Sequence, residues 1–455
     1  MAGESVRILF VRPHLFDARA ADALEPLAFA VLSALTPPDV ERRLCDERLA
    51  PVPLDADADL VAITIETYTA RRAYEIADRF RARGIPVVAG GYHPTFLPEE
   101  ALAHADAVVV GDAEAVWPAV VRDARAGVLQ RIYRGDGQPD LAGVVYDRSI
   151  FAGLGYRDIA AVQVGRGCRY ACDFCSIHAF YGPHVRYRPP EAVAAEIAAT
   201  GRRYVLIVDD NLFNDRARAA AVCEALVPLG IQWGCQVTTD VADDPGLLAL
   251  MARSGCIAAL VGFESLDADN LRQMRKAWML QRQDAASAVA RFHAHRIMVY
   301  GSFIFGYDAD TPETMARTIA FAIRSKLFLA NISPLTPMPG SRLYDRLSRE
   351  GRLLYHAWWL DPCYGYGDVV YRPARMTPEA LREGCREARA AFYGYGSIAR
   401  RLAANARSSA HLRLFLAANL VSRRELGRKL GRHLGAAAGP VALTREWAAV
   451  KGASS

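Results

Sequence analysis

Short runs of β-branched and apolar residues, most of them closing on a glycine or an acidic side chain, recur from Val6 to Ser333 with amphipathic stretches between them. This alternation commits a chain to parallel sheets flanked by helices, because a parallel strand pair needs a crossover long enough to hold a helix. In the N-terminal part the runs are Val6–Val11, Leu60–Ile65, Ile85–Ala89 before Gly90-Gly91, and Ala107–Val110 before Gly111. Leu27–Leu35 and Arg71–Arg83 carry helical apolar spacing. Together they predict a Rossmann-like parallel sheet over residues 1–140, with its ligand crevice beyond the carboxyl ends of the strands. A looser connection over about 128–158 follows, marked by Gly135, Gly137, Pro139, Gly153 and Gly155.

A second series has strand candidates at Ala160–Val164, Tyr204–Val208, Gln232–Val237, Ala258–Val261, Met298–Phe305 and Ala330–Ser333. Repeated strand–helix units predict a parallel β/α barrel or partial barrel over 155–345, again with its site at the carboxyl ends of the strands. Residues 346–455 read as a helical, basic C-terminal region. Aromatics crowd at Tyr355, Trp358, Trp359, Tyr364 and Tyr366, and Glu425 is the only acid between Arg400 and Arg432. That tail reads as a solvated helix face packed on the body, with an anionic surface as the other reading. The predicted fold class is therefore α/β with a helical C-terminal region.

Composition narrows the function. With 52% hydrophobic and 23% charged residues in a chain of 455, disorder and fibrous structure are excluded. The 55 basic against 50 acidic residues are a near balance, which is weak evidence for a nucleic-acid partner because a true footprint would be concentrated in one region, so none is expected. No apolar run approaches the ~20 residues of a membrane span, and Met1–Arg7 lacks a signal-peptide layout. A cytoplasmic protein with reduced thiols is expected. Of nine cysteines, Cys45, Cys223, Cys235, Cys256, Cys363 and Cys385 are scattered and read as small buried apolar groups.

The other three lie in Gly165-Arg166-Gly167-Cys168-Arg169-Tyr170-Ala171-Cys172-Asp173-Phe174-Cys175, just past the first strand of the second series. Three thiolates on one loop can face a single point and hold a soft metal centre. Four ligands would close it, whereas three on a [4Fe–4S] cluster leave one iron open to an outside ligand. A zinc site using Cys168, Cys172, Cys175 and His178 is the other reading.

This spacing resembles the radical SAM superfamily over residues of about 158 to 345. The resemblance implies that Cys168, Cys172 and Cys175 ligate a [4Fe–4S] cluster, that S-adenosylmethionine chelates the open iron, and that Phe174 packs against the adenine. Tyr204-Val205-Leu206-Ile207-Val208-Asp209-Asp210-Asn211 looks like the Asp-Asp-Asn variant of the cobalamin-associated subgroup. Asp209 or Asp210 would then pair with the methionyl ammonium, an N-cap role being the plain alternative. Gln236, Thr238 and Asp240 end a later strand facing the same mouth. In Gly262-Phe263-Glu264-Ser265, Glu264 would reach the ribose hydroxyls with Ser265 beside it, and Gly301–Tyr307 resembles the strand lying close to adenine. The resemblance implies reductive cleavage to a 5'-deoxyadenosyl radical that abstracts hydrogen from a small-molecule substrate, fed by a flavodoxin- or ferredoxin-type reductant.

The N-terminal part is similar to the cobalamin-binding domains that precede many such enzymes. Asp59–Thr64, Ala105-Asp106, Gly90-Gly91-Tyr92-His93-Pro94-Thr95 and Gly111–Glu114 carry that likeness. The Asp-x-His-x-x-Gly lower-ligand motif is absent, Arg12-Pro13-His14-Leu15-Phe16-Asp17 being the nearest histidine segment. Cobalamin is on that ground the doubtful member of the cofactor set. With it, C-methylation is expected; without it, hydrogen abstraction beside a hydroxyl leads to loss of water. The layout of the whole chain resembles the radical SAM diol dehydratases of aminoglycoside biosynthesis, with Trp358, Trp359 and Tyr364 as cover for a sugar face. The expectation is therefore a lyase that dehydrates a polyhydroxylated, aminosugar-like metabolite of antibiotic biosynthesis. C-methyl transfer is the alternative, and an iron–sulfur electron carrier is the non-enzymatic reading.

Overall fold

In a computed structural model, the structure describes residues 6–16, 20, 23–135, 139–281, 284–406 and 408–435. Asp17 of the histidine segment, Gly137 of the connection, Met1–Ser5 and residues 436–455 of the C-terminal region lie outside them.

The N-terminal strands are β1 (Arg7–Arg12), β2 (Glu41–Asp46), β3 (Leu60–Thr64), β4 (Val87–Gly90), β5 (Ala107–Val110) and β6 (Ile132–Arg134). They form one sheet in the order β2-β1-β3-β4-β5-β6, with every pairing parallel. The inner strands are apolar nearly throughout because both faces are covered. Phe29, Trp117 and Phe151 pack on one face. On the other, Tyr74 and Phe80 of the helix Ala70–Arg81 are joined by Trp358, Trp359, Tyr364 and Val370 from far along the chain. Two strands escape the sequence pattern. The edge strand β2 reads Glu-Arg-Arg-Leu-Cys-Asp, charged where it meets solvent, and β6 is a three-residue strand inside the connection expected to be loose.

The second series opens with β7 (Ala160–Val162), followed by the antiparallel pair β8 (Gly165–Arg166) and β9 (Arg186–Tyr187). Then come β10 (Tyr204–Ile207), β11 (Gln232–Val237), β12 (Cys256–Glu264), β13 (Met298–Phe305) and β14 (Leu329–Pro334). The sheet runs β7-β10-β11-β12-β13-β14, all parallel and in chain order, and β14 does not pair back onto β7. The result is an open, partial barrel, and the expected fold class is borne out. Its core joins Trp233, Phe263, Phe303 and Tyr307 to Leu381, Cys385 and Phe392 of the helix Pro378–Phe392. The C-terminal region therefore covers both sheets. Of the six scattered cysteines five are buried, but Cys363 is exposed and does not serve as a core residue. Among the described residues no helix is long and apolar enough to cross a membrane.

Candidate active site

Gly167 follows β8 at a φ of 93°, and a Cβ there would collide with the carbonyl oxygen of His184. Only glycine turns the chain here without strain, and the turn sends Cys168, Cys172 and Cys175 out beyond the strand ends. Cys175 N–H donates to Cys172 O at 3.3 Å, and the helix Ser176–Tyr181 begins immediately afterwards. The three thiols are free and half-buried. Burial, together with the charge each senses on the others, pushes Cys172 up to about 12 and Cys175 up to about 11. Such mutual coupling places the sulfurs in one charge neighbourhood. Among the described residues no three His, Cys, Asp or Glu side chains close on a point as the ligands of one ion do.

The segment after β10 braces this loop. Asp209 is fully buried and accepts from the backbone N–H of Val164 at 2.7 Å and of Gly165 at 2.6 Å. Burial holds its carboxyl up at about 8. Asp209 is thus committed to the backbone of the loop and is not placed to pair with an incoming ammonium. Asp210 accepts from Gly167 N–H at 3.1 Å, and burial raises its carboxyl to about 6 against the pull of that N–H and of Arg166. Asn211 caps the turn Leu212–Asn214, so the capping role belongs to Asn211 rather than to either aspartate. Asn214 donates to Gly167 O at 3.0 Å and accepts from Arg169 N–H at 3.0 Å. A second brace comes from the far side of the barrel, where Tyr307 donates to Asp173 at 2.5 Å and Leu343 N–H donates to Asp173 O at 2.9 Å.

The other expected site residues divide. Gln236 donates to the backbone oxygen of Asp210 at 3.0 Å and is exposed at the mouth. Glu264 is buried at the end of β12 with a φ of 61° and accepts from Lys276 Nζ at 3.2 Å. A left-handed φ at a glutamate is uncommon backbone, of the kind that collects at functional sites. Lys276 Nζ also donates to Gly262 O at 3.0 Å, and a Cβ at Gly262 would strike the Glu264 carboxylate. Burial opposes the Lys276 charge, but Glu264 and the neighbouring Cys172 leave its pKa above the ordinary value. Cys168, Cys172, Cys175, Asp210, Gln236 and Glu264 are thus brought to one mouth. Ser265 is not: its Oγ accepts from Asp267 N–H at 3.1 Å, ahead of the helix Ala268–Gln273, and the residue lines a separate cavity with Phe263 and Met279. Phe174 is partly buried against the barrel core. Asp240 is spent on Arg169 and Arg216 at 3.1 and 3.2 Å.

Lys276 and Asn214 lie outside the quoted motifs, and Arg166, although inside the cysteine stretch, finds its partners more than fifty residues upstream, so none of the three roles is marked in the sequence. Arg166 makes the most telling contact. It pairs with Asp112 at 3.1 Å and Glu114 at 2.6 Å, both at the carboxyl end of the first sheet. Tyr92, which opens the helix Tyr92–Phe96 after β4, packs on Phe180 at 4.6 Å between ring centroids, so the helix after Cys175 also touches the N-terminal unit. Between the two units lies a cavity of about 330 Å³. Its walls include Gly90, Gly91, Gly111 and Trp117 from one side and Gln163, Arg166, Phe180 and Tyr181 from the other. Gly91 has a φ of 104°, and a Cβ there would press on the carbonyl oxygen of Ile65 at 2.9 Å.

Residues 162–322 match the family model of the radical SAM superfamily, and residues 31–121 match that of the B12 binding domain. The chain carries a radical SAM domain preceded by a B12-binding domain. Bacteriochlorophyllide d C-12(1)-methyltransferase of Chlorobaculum tepidum is 28% identical over 390 residues, 83% of this chain and 84% of that relative. Hopanoid C-2 methylase of Rhodopseudomonas palustris is 27% identical and is matched over 73% of this chain and 66% of its own length. The solved cobalamin-dependent S-adenosylmethionine radical enzyme OxsB, with aqua-cobalamin and S-adenosylmethionine bound, shares the fold at a TM-score of 0.66 and 13% identity, covering 93% of this chain and 72% of OxsB.

These relatives overturn the preference for a dehydrating lyase, and the antibiotic-biosynthesis reading loses its support with it. The structure supplies a physical reason of its own. Trp358, Trp359 and Tyr364, expected to cover a sugar, are buried under the first sheet and reach no mouth.

Proposed function

We propose that the protein is a cobalamin-dependent radical SAM methyltransferase acting on a carbon centre of a small molecule. The observation that carries this reading is the cavity, which opens from the carboxyl ends of β3, β4 and β5 directly onto Arg166 and the helix that follows the cysteine loop. Its lining is mostly apolar with a few placed charges, the make-up of a small-molecule site. When bound, the cluster and S-adenosylmethionine would supply a hydrogen-abstracting radical, and cobalamin a transferable methyl group.

The residues divide the work. Cys168, Cys172 and Cys175 would hold the cluster, while Asp209, Asp210 and Asn214 fix the loop that carries them. Asp210, with one backbone bond, is the acid we assign to the methionyl ammonium, and Glu264 with Gln236 would contact the nucleoside. Gly90, Gly91 and Gly111 would let the corrin approach the ends of the first sheet, with Phe180 and Tyr181 on the cluster side. Among the described residues that line the cavity there is no histidine, so none of them would offer an imidazole to the corrin. The missing lower-ligand motif then describes a mode of binding rather than a loss of binding.

Anaerobic reconstitution with iron, sulfide and hydroxocobalamin, followed by gel filtration, tests this. Corrin co-eluting with the protein is expected, its Co(II) resonance free of nitrogen superhyperfine splitting from a histidine. Protein that retains a cluster but no corrin would sink the reading.

A further inference from the structure

The helix Ser409–Lys429 buries one narrow side. Phe415 packs with Met298, Phe328 and Ile398, and Asn419 donates to Phe328 O at 3.1 Å while accepting from the buried Arg401 at 2.9 Å. The outward side is not polar in the way a solvated helix face is. Leu412, Leu416 and Leu420 follow one another at helical spacing and are exposed, Leu420 by 48%. Leu414 and Val421, the latter 52% exposed, form a second apolar rim. Arg413, Arg424 and Arg428 are exposed between the two rims. Arg423 lies over the ring of Tyr395 at 4.1 Å, and Tyr395, 67% exposed, extends the patch onto the neighbouring helix Tyr395–Asn405.

We propose that this face docks the protein peripherally on an anionic lipid bilayer, with the leucines entering the headgroup boundary and the guanidinium groups meeting lipid phosphates. A single exposed leucine means nothing, but five apolar side chains along one helix mark an interaction surface. The charge distribution selects the occupant. A second copy meeting this face would set arginine against arginine. The one acid of the stretch, Glu425, is already shared between Arg428 at 3.7 Å and Lys429 at 3.6 Å. Arginines interleaved with leucines suit a surface whose negative charge lies a fixed depth above its apolar interior, because their stems can follow the leucines while the heads stay at the phosphates. The helix packs on Met298, the first residue of β13, and on Phe328, just ahead of β14. Docking therefore uses the amino end of the barrel and leaves the opposite, cysteine-bearing mouth open. The inference does not rest on the chemistry proposed above, and its test involves no cofactor.

The full-length protein is co-sedimented with phosphatidylcholine vesicles and with vesicles containing phosphatidylglycerol, at low and high salt. Binding to the anionic vesicles that weakens as salt rises is expected. Leu416→Asp/Leu420→Asp should cut the bound fraction about tenfold, less than the loss of one fully buried leucine contact would allow. Arg413→Glu/Arg424→Glu should abolish the preference for anionic lipid. Circular-dichroism melts of both variants should match the parent. Absence of binding, or binding indifferent to phosphatidylglycerol, would overturn the proposal. So would a dimer in sedimentation velocity that Leu416→Asp/Leu420→Asp dissociates, which would assign the face to a second copy.

Discussion

Each of the three cysteines is held as a thiol by burial and by its neighbours, so iron would have to displace protons that the fold itself favours. This opposition makes the loop informative to mutate. Cys172 is half-buried and anchors no core packing, so Cys172→Ala should leave the thermal midpoint within about a degree or two of the parent. The same change should remove the iron and the visible absorption retained after anaerobic reconstitution. A variant that keeps a full complement of iron would show that Cys172 is not a ligand. Asp209 and Asp210 illustrate how adjacent residues of one type take different tasks. Asp209 is consumed by two backbone N–H groups, whereas Asp210 faces the mouth with one. Their order just after β10 is legible in the sequence, but the depth of each is not.

The connection from β13 to the helix Pro312–Arg324 shows what an element costs to terminate inside a crowded barrel. Asp310 is buried and accepts from the N–H groups of Gly306 at 2.7 Å and Tyr307 at 3.1 Å, and from Asn270 at 2.8 Å. Burial nevertheless pushes its carboxyl up to about 6. The folded state therefore keeps a proton that the unfolded chain releases near pH 4. Asp310 contributes its stability below that value and loses it as pH rises toward 6, by about 3 kcal/mol at most. Thermal midpoints should fall across this window, and Asp310→Asn should flatten the fall whatever its constant cost. Identical slopes in parent and variant would rule Asp310 out as a source of the pH dependence.

At the scale of the molecule, the two sheets are joined by charge next to the cavity that both of them line. Arg166 is nine-tenths buried against Asp112 and Glu114. Arg166→Ala would leave two half-buried carboxylates without their shared cation, with Arg186, 2.8 Å from Asp112, as the remaining partner among the described residues. A loss of about 3 kcal/mol in unfolding free energy is expected. The triple change Arg166→Met/Asp112→Asn/Glu114→Gln should recover most of it, because no uncompensated charge remains. Failure of the triple variant to recover would mean that Arg166 acts through packing instead. The segment around Trp358 and Trp359 adds a second tie, since Trp359 donates to Glu100, on the helix Pro98–Leu102 of the N-terminal unit, at 3.0 Å while its flanking chain leads into helices packed on the barrel.

The alternation of apolar runs determined two parallel sheets, and the cysteine spacing determined where the metal chemistry would lie, because both signals are local and repeat at short range. The edge strand β2 was hidden because solvent exposure permits charge there, and β6 because three residues carry no period. What only tertiary structure decided were choices between chemically equal candidates: Asp209 or Asp210, Ser265 at the mouth or beside it, Trp358 as sugar platform or as core. The aspartate and tryptophan choices depend on groups far apart in the chain, 45 residues from Asp209 to Val164 and 259 from Trp359 to Glu100, and no short window of sequence contains both partners.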